Sequence, residues 1–318
     1  GDSLVGQKNG PVLEPVMLPH SVISIALKPE TKKDQEKLGE ALNRICAEDP
    51  TLKITQDPEF NQTVLSGLGE THLDVAVEKL RDRFGISVDI QKTRVPYRET
   101  ITMKATSQGK YKKQTGGRGQ YGDCFLRLEP YKEANFKFEN EIVGGVIPGK
   151  YVPAVEKGVR GAMEHGIIAG YPVINIKVAC YDGSYHTVDS SEMAFQIAGS
   201  MGFKSAMEKA KPALLEPVMN IEVTIPDEYL GDITGNISSR RGKVQGIEPG
   251  DGLQTVKAQV PMAELDKYST DLKAMTQGKG DYTMSFSHYE RITGKLAENV
   301  VQEAQKIREA KEKEKSEA

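Results

Sequence analysis

The sequence predicts an α+β fold in which two β-α-β-β-α-β segments flank a different α/β segment. Two near-identical hexapeptides, VLEPVM at 12–17 and LLEPVM at 214–219, each begin a stretch with the same order of apolar periods. At 318 residues, the chain is too long for one hydrophobic core and should form two or three domains. The repeated order is typical of the ferredoxin-like arrangement, in which two helices cover one face of an antiparallel sheet.

Apolar spacing and turn residues predict the elements of the first segment. Alternating residues predict a strand over 22–28, and Leu38, Leu42 and Ile45 recur at helical spacing within 33–47. Gly85 is expected to end the second helix. The remaining elements are a helix over 70–84 and strands over 52–55, 63–66 and 86–90.

The second segment repeats this order. We expect a strand over 220–224, a helix that Gly242 terminates, a hairpin closed by the turn EPGDG, another helix and a last strand. The ranges after the first strand are 230–239, 244–247, 255–260, 263–275 and 282–288.

The material between the two copies follows other patterns. Helices are predicted over 152–164 and 192–209, each after a glycine-rich turn, and Ser190 or Ser191 should cap the second. The tail from 296 onward has helical spacing and ends in AKEKEKSEA, which is typical of a solvated terminus. The predicted strands are 97–103, 124–128, 136–139 and 173–178.

Composition excludes several classes of protein. Hydrophobic residues make up 38% and charged residues 27% of the chain, as in ordinary soluble proteins. The net charge of −3 argues against a chain that coats nucleic acid everywhere but leaves a local basic patch open. No apolar stretch approaches a membrane span, and the start GDSLVGQKNG lacks the features of a signal peptide. Cys46, Cys124 and Cys180 are far apart, so buried thiols are expected rather than disulfides or a zinc site.

Two glycine patterns resemble nucleotide-binding loops. Residues 117–122, GRGQYG, spell G-x-G-x-x-G, but a strand should follow where a dinucleotide site needs a helix. A kinase loop would need V-A-I-K, H-R-D and D-F-G motifs, which the sequence lacks. In GGVIPGKY at 144–151, Tyr151 replaces the P-loop hydroxyl residue and Pro148 removes a backbone N–H from the cradle. We expect neither loop to open a helix or to bind a nucleotide.

The first glycine pattern lies in a strongly basic strand–loop–strand. Residues 103–122 contain five cations and no Asp or Glu: Lys104, Lys110, Lys112, Lys113 and Arg118. Glycines allow close approach and cations neutralise phosphates, so an RNA or DNA surface fits, with Tyr121 stacking on a base or ribose. A solvated hairpin with routine surface lysines explains the same residues, and composition does not decide between the two.

A second turn, YDGSYHTVDSSEMAF, contains Tyr185 and His186. A lone loop histidine is usually only solvated. The sequence places no nucleophile, paired carboxylate or set of metal ligands beside it, so neither a catalytic triad nor a metal site is expected.

Seven motifs between about residues 12 and 292 resemble, in order and spacing, those of translation elongation factor G: SGLGETHLDV, QTGGRGQYG, GGVIPGKYVPAVEKG, AGYPV, DGSYHTVDSSEMAF, KPALLEPVM and SSRRGKV. The resemblance implies ferredoxin-like domains III and V around a domain IV similar to domain 2 of ribosomal protein S5. Because the chain lacks a P-loop, switch regions and an N-K-x-D motif, it resembles the carboxyl-terminal part of a translational GTPase. GTP and Mg²⁺ would bind in an N-terminal domain, and this chain would have no cofactor and no enzyme activity.

The implied organisation has five parts. They are the end of a β-barrel domain or a linker (1–20), domain III (21–95), domain IV (96–213), domain V (214–292) and a C-terminal helix with a charged tail (293–318). Such factors move tRNA and mRNA through the ribosome. The implied partners are therefore the small-subunit decoding region, the large-subunit GTPase-associated centre, tRNA, mRNA and the factor's own GTPase domain. We expect a cytoplasmic monomer without a membrane partner.

In this family the end of domain IV enters the decoding region beside the codon–anticodon duplex. His186 stands where archaeal and eukaryotic relatives carry a modified histidine. The implied role is a wedge in which glycines fit a narrow space, cations hold phosphates, and His186 and Tyr121 contact the RNA minor groove or 2′-hydroxyls. The matching motifs assign to it Lys112, Lys113, Gly116, Gly117, Arg118, Gly119, Gln120, Tyr121, Tyr185 and His186.

Two further surfaces follow from the resemblance. Glu70 and His72 begin a helix that faces the GTPase domain in the family, although a role in the first helical turn also explains Glu70. Arg240, Arg241 and Gly242 resemble a segment that approaches large-subunit RNA, and arginines at a helix end also complement its dipole.

Three alternatives stay open. The segments EPGDGLQTVKAQV and GKGDYTMSFSHYERI, with the long charged tail, are closer to the paralogous second type of bacterial elongation factor G, so a role in ribosome recycling is open. A ribosomal protection factor shares the domain plan, but the intact GGRGQYG and SYHTVDSSE motifs favour translocation. A metabolite kinase of S5-like fold is the alternative from another class, and its glycine–serine phosphate loop is missing.

Overall fold

The computed structural model describes residues 21–114 and 119–317, together with residues 6, 14, 18 and 19. The chain divides into two compact units, Gly1–Val95 with Val218–Ser287, and Pro96–Pro217 with His288–Ala318. Both units combine helices with sheets, so the predicted α+β class is confirmed.

The first domain has the predicted β-α-β-β-α-β order: β1 (Ile23–Pro29), α1 (Lys32–Glu48), β2 (Lys53–Asp57), β3 (Gln62–Gly67), α2 (Glu70–Phe84) and β4 (Val88–Gln91). The sheet order is β2-β3-β1-β4 with antiparallel neighbours, which is the ferredoxin-like topology. Leu42 and Ile45 of α1 share one buried cluster with Leu65 of β3 and Leu73 of α2. Gly85 ends α2 in the left-handed conformation, as predicted.

The middle domain contains β5 (Arg98–Ile101), β6 (Ala105–Lys113), β7 (Gln120–Pro130), β8 (Phe136–Asn140), α3 (Val152–Met163), β9 (Ile176–Ser184) and α4 (Glu192–Lys209). Its sheet order is β6-β7-β9-β8, and β8 runs parallel to β9, to which α3 connects it. The core joins Leu126 of β7, Val178 of β9, Val155 of α3 and Phe195 of α4. Ser191 caps α4 by accepting a hydrogen bond from the N–H of Ala194, which confirms one of the two predicted caps.

The last part contains β10 (Pro212–Pro226), α5 (Leu230–Ser239), β11 (Lys243–Pro249), β12 (Leu253–Pro261), α6 (Tyr268–Met275), β13 (Asp281–Ile292) and α7 (Lys295–Glu317). The order β11-β12-β10-β13 repeats the topology of the first domain, so the predicted second ferredoxin-like sheet is confirmed. Its core includes Ile221, Val223, Ile233 and Val256.

One strand is longer than predicted and crosses the expected boundary at 213–214. Residues 212–215 of β10 pair with β5, and residues 218–226 pair with β12. Pro217 falls between these two ladders, so neither the pairing with β5 nor the pairing with β12 uses the N–H that proline lacks. A proline that would normally end a strand is therefore tolerated.

One predicted helix is interrupted. The sequence predicts a helix over 263–275, whereas the structure has a 3₁₀ turn at Met262–Leu265 and α6 begins only at Tyr268. Lys267, between them, has a φ of 57° in the left-handed region, which breaks the helical hydrogen-bond ladder. The guanidinium of Arg240, at the end of α5, donates to the carbonyl of Glu264 and pairs with Asp271. It therefore bridges the 3₁₀ turn and α6 on the two sides of the break.

The described residues contain no helix long and apolar enough to cross a membrane, and no cluster of three or more His, Cys, Asp or Glu side chains suited to a metal ion. Cys124 and Cys180 are buried free thiols, as expected, and Cys46 is half-buried. Burial, with a smaller contribution from Asp182, raises the pKa of Cys180 to about 12.

Candidate nucleic-acid interface

Two loops of the middle domain meet at the end of the β6–β7 hairpin. Lys112 pairs with Tyr121 and Lys113 with Gln120 in this hairpin, and Tyr121 also forms a parallel bridge with Ser190 in the β9–α4 loop. We use "tip" for residues 112–114, 119–121 and 185–190. Three predicted site residues lie outside the described residues: Gly116, Gly117 and Arg118.

Asp189 connects the two loops of the tip. Its Oδ1 accepts a hydrogen bond from the N–H of Gly119 at 3.0 Å, and its carbonyl accepts one from the N–H of Tyr121 at 2.9 Å. Its own N–H donates to Nδ1 of His186 at 3.1 Å. One residue therefore holds both loops, through its side chain and its backbone.

The imidazole of His186 has a defined orientation. Its Nδ1 also accepts a hydrogen bond from the N–H of Val188 at 3.3 Å, so in the neutral ring Nδ1 is unprotonated and Nε2 carries the hydrogen. The backbone N–H of His186 donates to Oγ of Ser190 at 2.9 Å. The His186 side chain is 54% exposed and Tyr185 is 45% exposed. Among the described residues Nε2 has no partner, so this N–H is available to an external acceptor.

Tyr121 is anchored by a polar chain that ends on a buried carboxylate. Its hydroxyl lies 2.7 Å from Oγ of Ser184, which donates to Oδ2 of Asp123 at 2.7 Å. The side chain of Gln108 donates to Oδ1 of Asp123 at 2.8 Å. Asp123 is only 4% exposed, and both of its oxygens are satisfied. Because the hydrogen of Ser184 goes to Asp123, Tyr121 donates to Ser184, which fixes its ring 6.4 Å from that of His186.

Basic side chains surround these two rings. Nζ of Lys110 lies 6.0 Å from the centroid of the Tyr121 ring, within cation–π range. Within the described part of the chain, neither Lys112 nor Lys113 has an ion-pair partner. A cavity of about 130 Å³ brings cations, aromatic groups and amides together, and its lining residues are Lys112, Lys113, Gln114, Gln120, Tyr121, His186 and Asp189. Such a concave, cationic surface suits a phosphate or a ribose.

The two described glycines of GRGQYG have structural roles: Gly119 donates its N–H to Asp189, and Gly122 lies within β7 against α4. The pattern leads into a strand and not a helix, as predicted, since β7 begins at Gln120. A Cβ added to Gly122 would lie 2.4 Å from the carbonyl oxygen of Ala194, and one added to Gly109 would lie 2.0 Å from that of Ala198. Glycine at these positions lets α4 lie directly against the β6–β7 hairpin.

The glycine loop at 144–151 does open a helix, so the expectation that neither loop would do so is wrong for this one. A 3₁₀ turn at Gly149–Tyr151 continues into α3. The ring of Tyr151 stacks on that of Phe195 with centroids 4.8 Å apart, and its hydroxyl donates to the carbonyl of Ser190 at 3.2 Å. The residue at the P-loop hydroxyl position therefore supports the tip.

Family comparisons match the three domains in turn. The model for elongation factor G domain III matches residues 18–92, the model for domain IV matches 93–211, and the model for the elongation factor G C-terminus matches 213–300. The chain belongs to the elongation factor G family. It carries domain III, domain IV and the C-terminal domain, here domain V, of a translation elongation factor.

A solved structure supports this assignment. The crystal structure of a protein from Thermus thermophilus is similar to this chain, with a TM-score of 0.83 and 46% sequence identity. The match covers 92% of this chain and 44% of that chain, so this elongation factor G chain spans less than half the length of the solved protein.

In domain III, both ring nitrogens of His72 are used within the domain. Nδ1 accepts a hydrogen bond from the N–H of Leu68 at 3.1 Å, and Nε2 lies 2.9 Å from Oδ2 of Asp49. Hydrogen bonds from Thr51 and then from His72 hold the pKa of Asp49 below its ordinary value. Glu70 is exposed in the first turn of α2. Their orientation toward a GTPase domain stays a prediction, and His72 would act by shaping the start of α2.

In domain V, the side chain of Arg240 is held by contacts within the domain. Its Nε donates to the side chain of Asn236 at 3.0 Å, and its guanidinium lies 5.2 Å from the centroid of the Tyr268 ring. With its bonds to Glu264 and Asp271, this leaves the Arg240 side chain only 16% exposed. These contacts give Arg240 a structural role at the end of α5, and its approach to large-subunit RNA stays a prediction.

The neighbours of Arg240 differ in exposure. Arg241 pairs with Glu264 through Nε at 2.9 Å and keeps 33% of its side chain exposed. Gly242 donates its N–H to the carbonyl of Ile237 at 2.9 Å, and a Cβ there would lie 2.6 Å from that oxygen. Their approach to ribosomal RNA stays a prediction, for which Arg241 is the accessible candidate.

Sequence reasoning missed three residues that organise the tip: Asp123, Ser184 and Asp189. An aspartate just before two serines and a helix is usually a cap or a solvated turn residue, so nothing local singled out Asp189. Its partner Gly119 is 70 positions away in the chain. The signal that could have found it is the closeness of Asp189 to His186 in one short loop.

Proposed function

We propose that this chain is the ribosome-binding part of a translational GTPase that promotes movement of tRNA and mRNA, and that the tip of domain IV enters the decoding region. The observation that carries the proposal is the convergence of Lys112, Lys113, Tyr121 and His186 on one small concave surface. These residues come from the β6–β7 hairpin and from the β9–α4 loop, so their convergence is a property of the fold.

The chemistry of this surface suits RNA. The two lysines, which have no ion-pair partner among the described residues, attract phosphates and release counterions from them. The Nε2–H of His186 can donate to a phosphate or a 2′-hydroxyl, and Tyr121 offers an aromatic face to a base or ribose.

The remaining roles belong to the same proposal. GTP and Mg²⁺ would bind to a GTPase domain outside this chain, which domain III would face through the start of α2, near Glu70 and His72. Domain V would approach the GTPase-associated centre of the large subunit through Arg241. The factor would act in the cytoplasm as a monomer.

The lysines of the tip provide the first test. The double variant Lys112→Ala and Lys113→Ala should bind ribosomes more weakly and with a shallower salt dependence. The slope of log K against log salt should fall by about one unit for each phosphate that the variant no longer neutralises. Equilibrium binding of the whole chain to ribosomes across a salt series measures this slope.

Lys204→Ala is the matched control. Lys204 is exposed on α4, twelve residues beyond its first residue, which is about 18 Å along the helix axis. Its replacement should leave the slope unchanged. A double variant with the wild-type slope would contradict phosphate binding at the tip.

His186 provides the second test. In the factor that includes the GTPase domain, His186→Ala should slow translocation by about tenfold or more, the effect of losing one hydrogen bond of at least 1.4 kcal/mol. Ribosome-stimulated GTP hydrolysis should change little, because that site lies in another domain. Equal loss of both activities would instead mean that His186 only maintains structure. Loss of subunit splitting without loss of translocation would assign the factor to recycling.

A further inference from the structure

We propose that Asp189 is a positioning residue, which joins the two loops of the tip and turns the His186 ring so that Nε2 faces outward. The partner of that nitrogen, an RNA acceptor, rests on the proposed function. The orientation itself can be measured without the ribosome.

The first step is the set of bonds that Asp189 makes. Its side chain, carbonyl and N–H each bond to a different residue of the tip, namely Gly119, Tyr121 and His186. The Asp189 side chain is 22% exposed, so these bonds are partly shielded from water. Removal of its carboxylate would leave the N–H of Gly119 without this acceptor.

The second step is the fit of Gly119 to the carboxylate. A Cβ added to Gly119 would lie 3.0 Å from Cγ of Asp189 and 3.1 and 3.2 Å from its two oxygens. A larger residue would push the carboxylate away from the first loop. The glycine is therefore matched to Asp189, which gives one residue of the GRGQYG pattern a specific role.

The third step concerns the two protonation states of His186. In the neutral ring, Nδ1 accepts the N–H groups of Val188 and Asp189 and so faces into the loop. In the protonated ring, Nδ1 would donate to Oδ2 of Asp189, which lies 3.3 Å away. A protonated Nδ1 no longer accepts the two backbone N–H groups, but its bond to Oδ2 would keep it directed at Asp189. Both states leave a hydrogen on Nε2 for an external acceptor.

The fourth step links this orientation to Tyr121. The backbone of Tyr121 is held by Asp189, and its hydroxyl by Ser184 and Asp123. The rings of Tyr121 and His186 are thus both held in place by bonds that involve Asp189. A nucleotide that contacts either ring would contact a surface to which both loops contribute.

The test compares Asp189→Ala, Asp189→Asn and the unchanged 318-residue chain. The ¹⁵N spectrum of labelled histidine, with His186 assigned by His186→Gln, reports which ring nitrogen is protonated. Amide hydrogen exchange reports the protection of Gly119. The carboxylate acts on the ring through the loop: its bond to Gly119 holds the backbone whose N–H groups, those of Val188 and Asp189, donate to Nδ1. We therefore expect Asp189→Ala to loosen these two donors and to mix the two tautomers of His186. Exchange at Gly119 should become about ten- to a hundredfold faster, as expected for the loss of one hydrogen bond to a carboxylate.

Asp189→Asn keeps the shape of the side chain, so it should restore the single tautomer and most of the protection at Gly119. Asp182→Ala is the matched control, because Asp182 is exposed on β9 and, among the described residues, its carboxylate accepts only from the N–H of Gly183, at 2.8 Å. It should change neither readout.

If Asp189→Ala keeps both the wild-type tautomer and the wild-type exchange rate at Gly119, the positioning role is overturned. The same holds if Asp182→Ala alters them equally. This outcome is independent of the ribosome assays, since a normal rate of translocation in His186→Ala would refute the proposed function and leave the orientation of the ring decided by the spectra.

Discussion

Replacement of Glu99 by glutamine should strongly destabilise domain IV. Glu99 is fully buried, and its two carboxylate oxygens accept five backbone N–H groups from one loop. Oε2 accepts from residues 167 and 168 at 2.7 and 2.9 Å. Oε1 accepts from residues 169, 170 and 171 at 2.8, 2.8 and 3.2 Å. This carboxylate therefore organises the turn between α3 and β9.

The magnitude follows from the donors that glutamine cannot satisfy. Its better rotamer keeps an oxygen at Oε1 and turns its NH₂ toward the N–H groups of residues 167 and 168. Each stranded buried donor costs about 1–3 kcal/mol, so the free energy of unfolding should fall by about 2–6 kcal/mol. Loss of the buried charge removes part of its desolvation cost, which favours the lower end of this range. The free energy of unfolding of a typical domain is only about 5–15 kcal/mol, so this loss is a large part of it.

Hydrogen exchange of β7 and β9 amides across a urea series measures the unfolding of domain IV separately from that of the other domains. The control is Glu133→Gln, because Glu133 is exposed and, within the described part of the chain, accepts only from the hydroxyl of Tyr131, at 2.9 Å. It should stay within about 0.5 kcal/mol of wild type. A Glu99→Gln variant that is equally stable would refute the account of the loop.

Two further predictions concern packing and pH. Gly122→Ala should lower the free energy of unfolding by about 1–3 kcal/mol, because the added methyl group forces α4 away from the sheet. Gly39→Ala should raise it by about 0.5–1 kcal/mol, because Gly39 lies on α1 with open space around it. Thermal melts that rank the two variants in the opposite order would contradict this packing. Burial raises the pKa of Cys180 from 9.0 to about 12. Above pH 9 the unfolded chain therefore loses a proton that the folded chain keeps, and this thiol should lower stability by about 1.4 kcal/mol per pH unit up to pH 12, in addition to the effect of Cys124, whose pKa burial also raises. Urea titrations at rising pH measure this slope, which should be smaller in Cys180→Ala and would be the same if another group caused it.

The sequence predicts most of the fold because its signals are local. The helices at Glu70–Phe84, Glu192–Lys209 and Leu230–Ser239 have the predicted bounds, since glycine, serine and apolar spacing mark their ends. The break before α6 was not predictable in this way. It depends on Arg240, which is 31 positions from its partner Asp271, and on a lysine in a backbone conformation that lysine rarely adopts.

The residues of the candidate site were likewise only partly predictable from the sequence. Tyr121 and His186 stand out in their motifs, but their geometry is set by residues that look ordinary in sequence. Asp123 and Ser184 are 61 positions apart, and a buried carboxylate that only orients a hydroxyl leaves no periodic pattern. Long-range hydrogen bonds of this kind become visible only when the sheet is formed.

The contact between α4 and the β6–β7 hairpin has a mechanical consequence. Helix α4 begins three residues after Asp189, and the carbonyls of Ala194 and Ala198 sit against the glycine backbone of the hairpin without space for a single methyl group. Because these contacts leave no free space, α4 cannot shift easily against the hairpin. A force applied at the tip would therefore be transmitted along α4 to the sheet and would deform the loops little.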